Sequence, residues 1–346
     1  MSKPPIPRKS HRSTGRITLT DVARAANVSP STVSRALRGE RAVDPDLVAR
    51  VVAVSEKLGY VPDPAARALA SQRSDHVTIL IPLLSNTLFV DLLDAAQSTL
   101  RAAGFQTLMG VTHYNPHEEE QLLIEQLHHR PAGLLITGLD HSQATQKLIS
   151  RSQVPCVHLM DLPQPEKADV YCVGFKQTDA GEAMTHHLVN RGKKRIVFAA
   201  AQLDPRVMQR LMGWRRALKS VGLFDESLEW LNPAPSSLAL GGTMFEQILK
   251  QCPGVDAIFF CNDDLAQGAL LAAMRMGIAV PHQVAIAGFN DLTGSDQMWP
   301  ALTTVRTPRA QVGETAAKML LQLIRGEVPD KPQIDLGFEI IARQSA

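Results

Sequence analysis

Beyond residue 75, continuous apolar runs of strand length alternate with longer stretches whose apolar residues recur at helical spacing. VTILIP, QTLMGV, AGLLITG and VPCVHLM are bounded by turn residues and read as buried strands; DLLDAAQSTLRAAG and HEEEQLLIEQLH between them read as helices. A second cycle follows, with YCVGF, RIVFAAA, AIFFC and VAIAGF separated by AGEAMTHHLVNRG, VMQRLMGWRRALKSVG and LAQGALLAAMRMG. Two β/α cycles of similar size predict two doubly wound parallel-sheet lobes. Ligands of such sheets bind outside the carboxyl ends of the strands, which makes the residues just after each run the first candidates for chemistry.

The start of the chain has a different pattern. Thr18 to Gly39, TLTDVARAANVSPSTVSRALRG, predicts two short amphipathic helices joined by a tight turn at Asn27-Val28-Ser29. Thr20 is expected to cap the first, whose Val22, Ala25 and Ala26 share a face; Ser29 caps the second, whose Val33 and Leu37 sit four apart. The polar face of the second helix presents Ser31, Thr32, Ser34, Arg35 and Arg38, side chains suited to base edges and phosphates in a major groove. This is the layout of a helix-turn-helix DNA reader; the alternative is an ordinary helical hairpin. Asp44 to Leu58 form a third helix, stopped by Gly59, that closes a small core. Past Pro62, the segment Pro64 to Ser71 predicts one or two helical turns capped by Asp63, too short to be stable alone. Such a segment suits a hinge that folds only on DNA, with Arg67 in the DNA-facing set and Leu69 wedged between base steps from the minor groove. A plain flexible linker is the alternative.

Charge supports the partition. Residues 1–75 hold 13 Lys and Arg against 7 Asp and Glu, and the remainder holds 23 against 27, so a near-neutral total of +2 divides into a basic head and an acidic body. Lys3, Arg8, Lys9, Arg12 and Arg16 lie in a tail expected to be disordered yet able to reach phosphates. With no apolar run long enough for a signal peptide or a membrane span, a cytoplasmic location and no membrane partner are expected. Cys156, Cys172, Cys252 and Cys261 lie in apolar runs without metal-type spacing and read as buried free thiols. There is no glycine-rich phosphate loop, Gly-x-Ser-x-Gly elbow or His-Glu-x-x-His helix. The neighbouring His128-His129 and His186-His187 do not share a helix face and read as solvated histidines rather than a metal pair. No catalytic residue, metal or cofactor is expected; an α/β metabolic enzyme with an incidental N-terminal domain is the alternative.

The strand-end rule selects Leu83 to Phe89 after the first run, Asp161 after VPCVHLM, and Asp204, Arg206 and Arg210 after RIVFAAA. It also selects Asn262 and Asp263 after AIFFC, and Asn290 and Asp291 after VAIAGF. Asp161, Asn262 and Asn290 suit hydroxyls, whereas Arg206 and Arg210 can clamp a carboxylate, so a polyhydroxy acid fits both features. Asp161 and Asn262 can instead merely cap the turns that follow them, and Asp263 is expected to cap the helix beginning at Leu265.

TLTDVARAANVSPSTVSRAL and LGYVPDPAARALASQRS resemble the headpiece and hinge of the LacI/GalR family of bacterial repressors, and the resemblance continues to the C-terminus. It implies a small all-α helix-turn-helix headpiece plus an α/β body of two doubly wound parallel-sheet lobes, like a periplasmic binding protein. The expected boundaries are a basic tail at 1–16, the DNA-binding domain at 17–62, a hinge at 63–75 and the body at 76–346. Within the body, one lobe is expected at about 76–173 and 306–336, the other at about 174–305 and 337–346. The resemblance maps base reading to Pro30, Ser31 and Arg35 and the hinge leucine to Leu69; with Thr20, Thr32, Ser34, Arg38 and Arg67 these form the expected DNA-binding set. Asp63 stands where an Asn is more usual, a departure that brings an acidic group close to phosphates. Effector roles are implied for Asp161, Arg210, Asn262 and Asn290; Phe89 and Arg206 complete the expected effector set.

VHLMD, DVYCVGF, CNDDLAQGA, VAIAGFND and LGFEI resemble the gluconate-utilisation repressors of that family, implying gluconate or a keto or phospho derivative as effector. A neutral sugar or another metabolite is the alternative. Lys176 and Gln177 stand where many members carry Asp-Asn, as a further anion contact or a surface turn. The family's pattern implies a homodimer, contacting through both lobes and through the helix from Phe89 to Ala103, on a near-palindromic double-stranded DNA operator. With no leucine-heptad tail, a dimer rather than a tetramer is expected. A periplasmic sugar carrier shares the two-lobed body, but it would need an export signal and would not carry a basic DNA reader.

Overall fold

A computed structural model describes residues 17–37, 43–61, 74–84, 87–163 and 170–346. The chain divides into two compact units, residues 1–74 and 75–346. Arg38, Arg67 and Leu69, the basic tail and most of the expected hinge lie outside the described residues.

In the first unit, α1 (Leu19–Ala26) is opened by Thr18 rather than Thr20. The Asp21 N–H donates to Thr18 Oγ1 at 3.3 Å while the Asp21 carboxylate accepts from the Thr18 N–H at 3.0 Å, a reciprocal pairing that Thr20 is two positions too late to make. The buried face is Val22, Ala23 and Ala26; Ala25 is exposed, because Ala23 and not Ala25 lies toward the other two helices. Asn27 ends α1 in the left-handed region at φ 53°. Ser29 then opens α2 (Pro30–Leu37), its Oγ accepting from the Thr32 N–H at 3.2 Å. Asp44 caps α3 (Pro45–Leu58), which Gly59 terminates at φ 65°. Val22, Ala26, Val33, Ala36 and Val51 form the core that ties the three helices together.

The second unit contains two six-stranded sheets. The first has the order β11-β5-β4-β3-β1-β2, where β1 is His76–Ile81, β2 Gln106–Val111, β3 Gly133–Thr137, β4 Cys156–Leu159, β5 Cys172–Gly174 and β11 Gln333–Asp335. The second has the order β12-β10-β9-β8-β6-β7, with β6 Ile196–Ala201, β7 Glu229–Asn232, β8 Ala257–Phe260, β9 Ala285–Asn290, β10 Thr303–Arg306 and β12 Glu339–Ile341. Every pairing is parallel except β10 with β12. The YCVGF run, grouped by pattern with the second cycle, instead supplies β5 of the first sheet, pairing with β4 and β11. Four strands were not expected from the pattern: β7, β10, β11 and β12 are three or four residues long, too short and too polar to register as apolar runs.

Helices α4 (Leu88–Ala102), α5 (Pro116–His128), α6 (Gln143–Ser152), α7 (Gln177–Asn190), α8 (Pro205–Ser220), α9 (Leu238–Gln251), α10 (Asp263–Met276) and α11 (Arg309–Ile324) cover the sheets. They pack most closely in the pairs α4 with α11, α7 with α8 and α9 with α10. Gly213 lets α8 lie against α7, since a Cβ there would meet the Thr178 carbonyl. Gly313 does the same for α11, under the Leu92 carbonyl of α4. The chain crosses between the sheets three times, at Gly174 to Gln177, Arg306 to Arg309 and Asp335 to Glu339. Among the described residues, no helix is long and apolar enough to cross a membrane.

Candidate functional site

In the three-helix unit, α2 turns Val33 and Ala36 inward and leaves Pro30, Ser31 and Arg35 exposed, with Thr32 and Ser34 half-buried. The Ser29 hydroxyl sits 2.8 Å from those of both Ser31 and Thr32, so the start of α2 is an organised cluster of hydroxyls. Thr20 is exposed on α1. The positive end of the α2 dipole favours anions at its start, and Arg35 in its last turn adds a cation to a surface suited to a groove.

In the larger unit, the carboxyl ends of both sheets carry the selected polar residues. A cavity of about 410 Å³ opens there, lined by Thr112 and Tyr114 after β2, Glu119 of α5, Thr137 and Asp140 at β3, and Asp204 and Arg206 after β6. Asp204 caps α8, accepting from the Arg206 N–H at 2.9 Å, which turns the first residues of that helix toward the cavity. The Arg206 guanidinium is buried, 3.5 Å from the Asp204 carboxylate and 5.7 Å from the Tyr114 ring centre. Burial works against its charge, yet Asp204, Tyr114, Asp140 and Asp161 outweigh that and hold it firmly protonated. Among the described residues its buried Nη1 has no hydrogen-bond partner.

Of the six residues expected to meet an effector, Arg206 is the one on this cavity's wall. Asp161 is buried behind it; burial raises its pKa, opposed by Arg206, by the Leu162 N–H at 2.9 Å and by Gln209. Arg210, one turn along α8, is committed internally: Nε donates to Gln177 Oε1 at 2.9 Å, Nη1 donates to the Cys261 carbonyl at 2.6 Å, and the guanidinium lies 3.8 Å over the Phe289 ring. Asn262, rather than Asp263, caps α10, its Oδ1 accepting from the Leu265 N–H at 3.1 Å and its amide donating to Ser236 at 2.8 Å. Asp263 lies inside that helix and binds β10 and the loop after β9, accepting from Thr304 at 2.7 Å and from the Leu292 N–H at 2.6 Å and Ser295 at 3.0 Å. Burial pushes its carboxyl up to about 6. Asn290 ends β9 at φ 108°, with a buried Oδ1 that lacks a partner among the described residues. Phe89 is 2% exposed and packs into the hydrophobic core.

Lys176 is exposed and paired with Asp179, whereas Gln177 is fully buried and braces Arg210 while donating to the Met160 carbonyl at 3.0 Å. Tyr114, Glu119 and Asp140 were not singled out from sequence. The strand-end rule reaches Tyr114 and Asp140 once β2 and β3 are treated like the other strands, but Glu119 sits in a helix and has no such signal. The four thiols are free; burial raises all of them, to about 12 for Cys156, Cys172 and Cys261. His187, read as solvated, is half-buried, and among the described residues its Nε2 has no partner.

Known proteins match the chain over nearly its whole length. Residues 18–63 match the family described as "Bacterial regulatory proteins, lacI family", and residues 185–346 match the "Periplasmic binding protein-like domain". The HTH-type transcriptional regulator GntR of Pseudomonas aeruginosa is 49% identical over 337 residues, 97% of this chain and 98% of that protein. The solved structure of transcription regulator GntR from Chromobacterium violaceum is 50% identical, covering 78% of this chain and 98% of its own, with a TM-score of 0.76. A LacI-family regulator from Silicibacter pomeroyi is 34% identical, with a TM-score of 0.87 over 95% of this chain and 99% of its own. A helix-turn-helix unit followed by two parallel-sheet lobes, similar over nearly its whole length to curated transcriptional regulators rather than to enzymes, places the chain in the LacI family; it is a DNA-binding transcriptional regulator.

Proposed function

We propose that this repressor controls sugar-acid catabolism, and that gluconate or a keto or phospho derivative, bound between the two lobes, sets its affinity for the operator. The observation that carries this reading is Arg206, a buried and firmly charged guanidinium with an unpartnered Nη1 on the wall of a cavity otherwise rich in hydroxyls and carboxylates. Such a donor suits the carboxylate of a ligand, and Thr112, Thr137, Asp140 and Glu119 suit its hydroxyls. Arg210 then acts behind the ligand, and Asn290 and Asp161 become contacts as the lobes close. The similarity to proteins named GntR and the gluconate-repressor-like stretches of sequence favour the same effector class.

On the DNA side, Ser31 and Arg35 read bases while Pro30, Thr32, Ser34 and Thr20 flank them, with Arg38, Arg67 and Leu69 completing the set. One three-helix unit binds weakly, so the repressor acts as a homodimer on a near-palindromic site. Ligand binding and operator binding are coupled through lobe closure, reciprocally as linkage requires.

Calorimetric titration with gluconate, 2-ketogluconate, 6-phosphogluconate and neutral sugars, followed by operator binding with and without any ligand found, tests this. Binding of one acid with a changed operator affinity is the expected result. Binding of a neutral sugar alone overturns the sugar-acid reading and leaves the repressor intact.

A further inference from the structure

The first lobe contains a line of hydrogen-bonding side chains that no strand-end argument selects. Glu119 Oε1 lies 2.8 Å from His141 Nδ1, His141 Nε2 lies 3.1 Å from His158 Nδ1, and His158 Nδ1 also lies 3.0 Å from the Gly138 carbonyl. Beyond it, His158 Nε2 is 3.9 Å from Cys156 Sγ. The line is protected: the side chains of His141 and Glu119 are 4% and 13% exposed, and His158 is buried on β4.

Its proton positions follow from its fixed ends. A carbonyl can only accept, so His158 carries its proton on Nδ1 and shares it between Gly138 and His141. His141 Nε2 must then be an acceptor, which puts the His141 proton on Nδ1, pointing at Glu119. His158 Nε2 is left to accept from the Cys156 thiol. Burial supports this arrangement, pushing His158 down to about 4, with His141 adding to the effect, and Cys156 up to about 12. The line therefore ends in the His141 Nδ1–H donating to a carboxylate on the cavity wall.

That direction matters because Glu119 shares its cavity with Arg206. An ion pair between the two would occupy the guanidinium. Here no ion pair joins them among the described residues: Arg206 pairs with Asp204, and Glu119 is turned to His141. Opposite charges, one from each lobe, line one cavity without pairing, available to a ligand that carries a carboxylate at one end and hydroxyls along its chain.

We propose that Glu119 is a specificity-determining residue that accepts a hydrogen bond from an effector hydroxyl, and that His141 and His158 are positioning residues that hold its carboxylate away from Arg206. This rests on the reading of the cavity as the effector site. A hydrogen bond to a charged acceptor sets the expected scale at roughly 10- to 100-fold in affinity.

The test uses the full-length protein with D-gluconate, its 2-deoxy and 3-deoxy analogues and neutral sugars as calorimetric probes. Wild type is expected to discriminate against one deoxy analogue. Glu119→Gln should lose roughly 10- to 100-fold in gluconate affinity together with that discrimination. His141→Phe should reproduce the loss, and His141→Asn, which restores a donor near the Nδ1 position, should recover much of it. Nitrogen-15 NMR of the imidazoles, read on the wild type without ligand, is expected to give neutral Nδ1–H tautomers for both histidines. An Nε2–H tautomer at His141 overturns the relay, and unchanged gluconate affinity and discrimination in Glu119→Gln overturn the assignment of Glu119 alone. Wild-type protein that binds no ligand of the panel overturns the effector reading and takes the hydroxyl contact with it.

Discussion

Arg309, the first residue of α11, donates to the Asp91 carboxylate of α4 at 2.8 Å and, through its other terminal nitrogen, to the main-chain oxygen of Asn290 at the end of β9. It thereby ties a helix pair that covers the first sheet to the loop that leaves the second. Asn290 and Asp291 both have positive φ, 108° and 51°, a strained pair that the arginine helps to hold. Asp91 is half-exposed, so Asp91→Asn should cost no more than about 1 kcal/mol. Arg309→Ala leaves two carbonyls without their donor and should cost roughly 1–3 kcal/mol. Amide hydrogen exchange over residues 288–295 is the readout, with faster exchange expected in Arg309→Ala; equal protection in wild type and variant would show that the loop holds its shape without this tie.

The two arginines of α8 should respond differently to substitution. Arg206→Gln removes a guanidinium whose Nη1 has no internal partner, so sugar-acid affinity should fall by roughly 10- to 100-fold. Arg210→Gln disturbs Gln177, the Cys261 carbonyl and the Phe289 ring together, so its main effect should be on stability, roughly 2–4 kcal/mol. Urea unfolding beside calorimetry separates the two. The reverse ranking would make Arg210 the ligand clamp and Arg206 the brace.

Base reading by α2 has a direct test. Arg35→Ala should weaken specific operator binding by roughly 1–3 kcal/mol while changing binding to random DNA much less. An equal loss on both would assign Arg35 to phosphate, and the salt dependence of binding would then drop by about one ion.

Asp263 gives stability a dependence on pH. Burial lifts its carboxyl from an ordinary value of 3.8 to about 6, against hydrogen bonds from Thr304, Leu292 and Ser295 that favour the anion. The folded state then holds this proton more tightly than the unfolded one. The contribution is fully present below pH 3.8 and is lost as pH rises through 6. Its size is bounded at roughly 3 kcal/mol by the shift. The difference in unfolding free energy between wild type and Asp263→Asn, measured from about pH 3.5 to 7.5, should follow that course. A difference that stays constant with pH would mean that the buried group does not titrate in this range.

The sequence alone determined the elements whose causes are local. Caps, left-handed stops and apolar stripes act over three or four residues, so Ser29, Gly59 and the long apolar strands were legible from their neighbours. The strand-end rule extended this to Asp161, Arg206, Asn262 and Asn290, because parallel α/β topology puts such positions at one edge whatever the side chains. What these residues do there was decided by tertiary structure. The cap expected of Asp263 falls to Asn262 because the Asp263 carboxylate meets Thr304 and Leu292, which arrive from β10 and the loop after β9. Arg206 and Arg210, one helical turn apart, diverged because Gln177, Cys261 and Phe289 surround only one of them. Glu119, His141 and His158 come from α5, a loop and β4, and their order in the chain carries no trace of the line they form. Periodicity reports which face of an element is buried; the partner that meets a polar side chain there depends on strands and helices distant in sequence, and only packing brings them together.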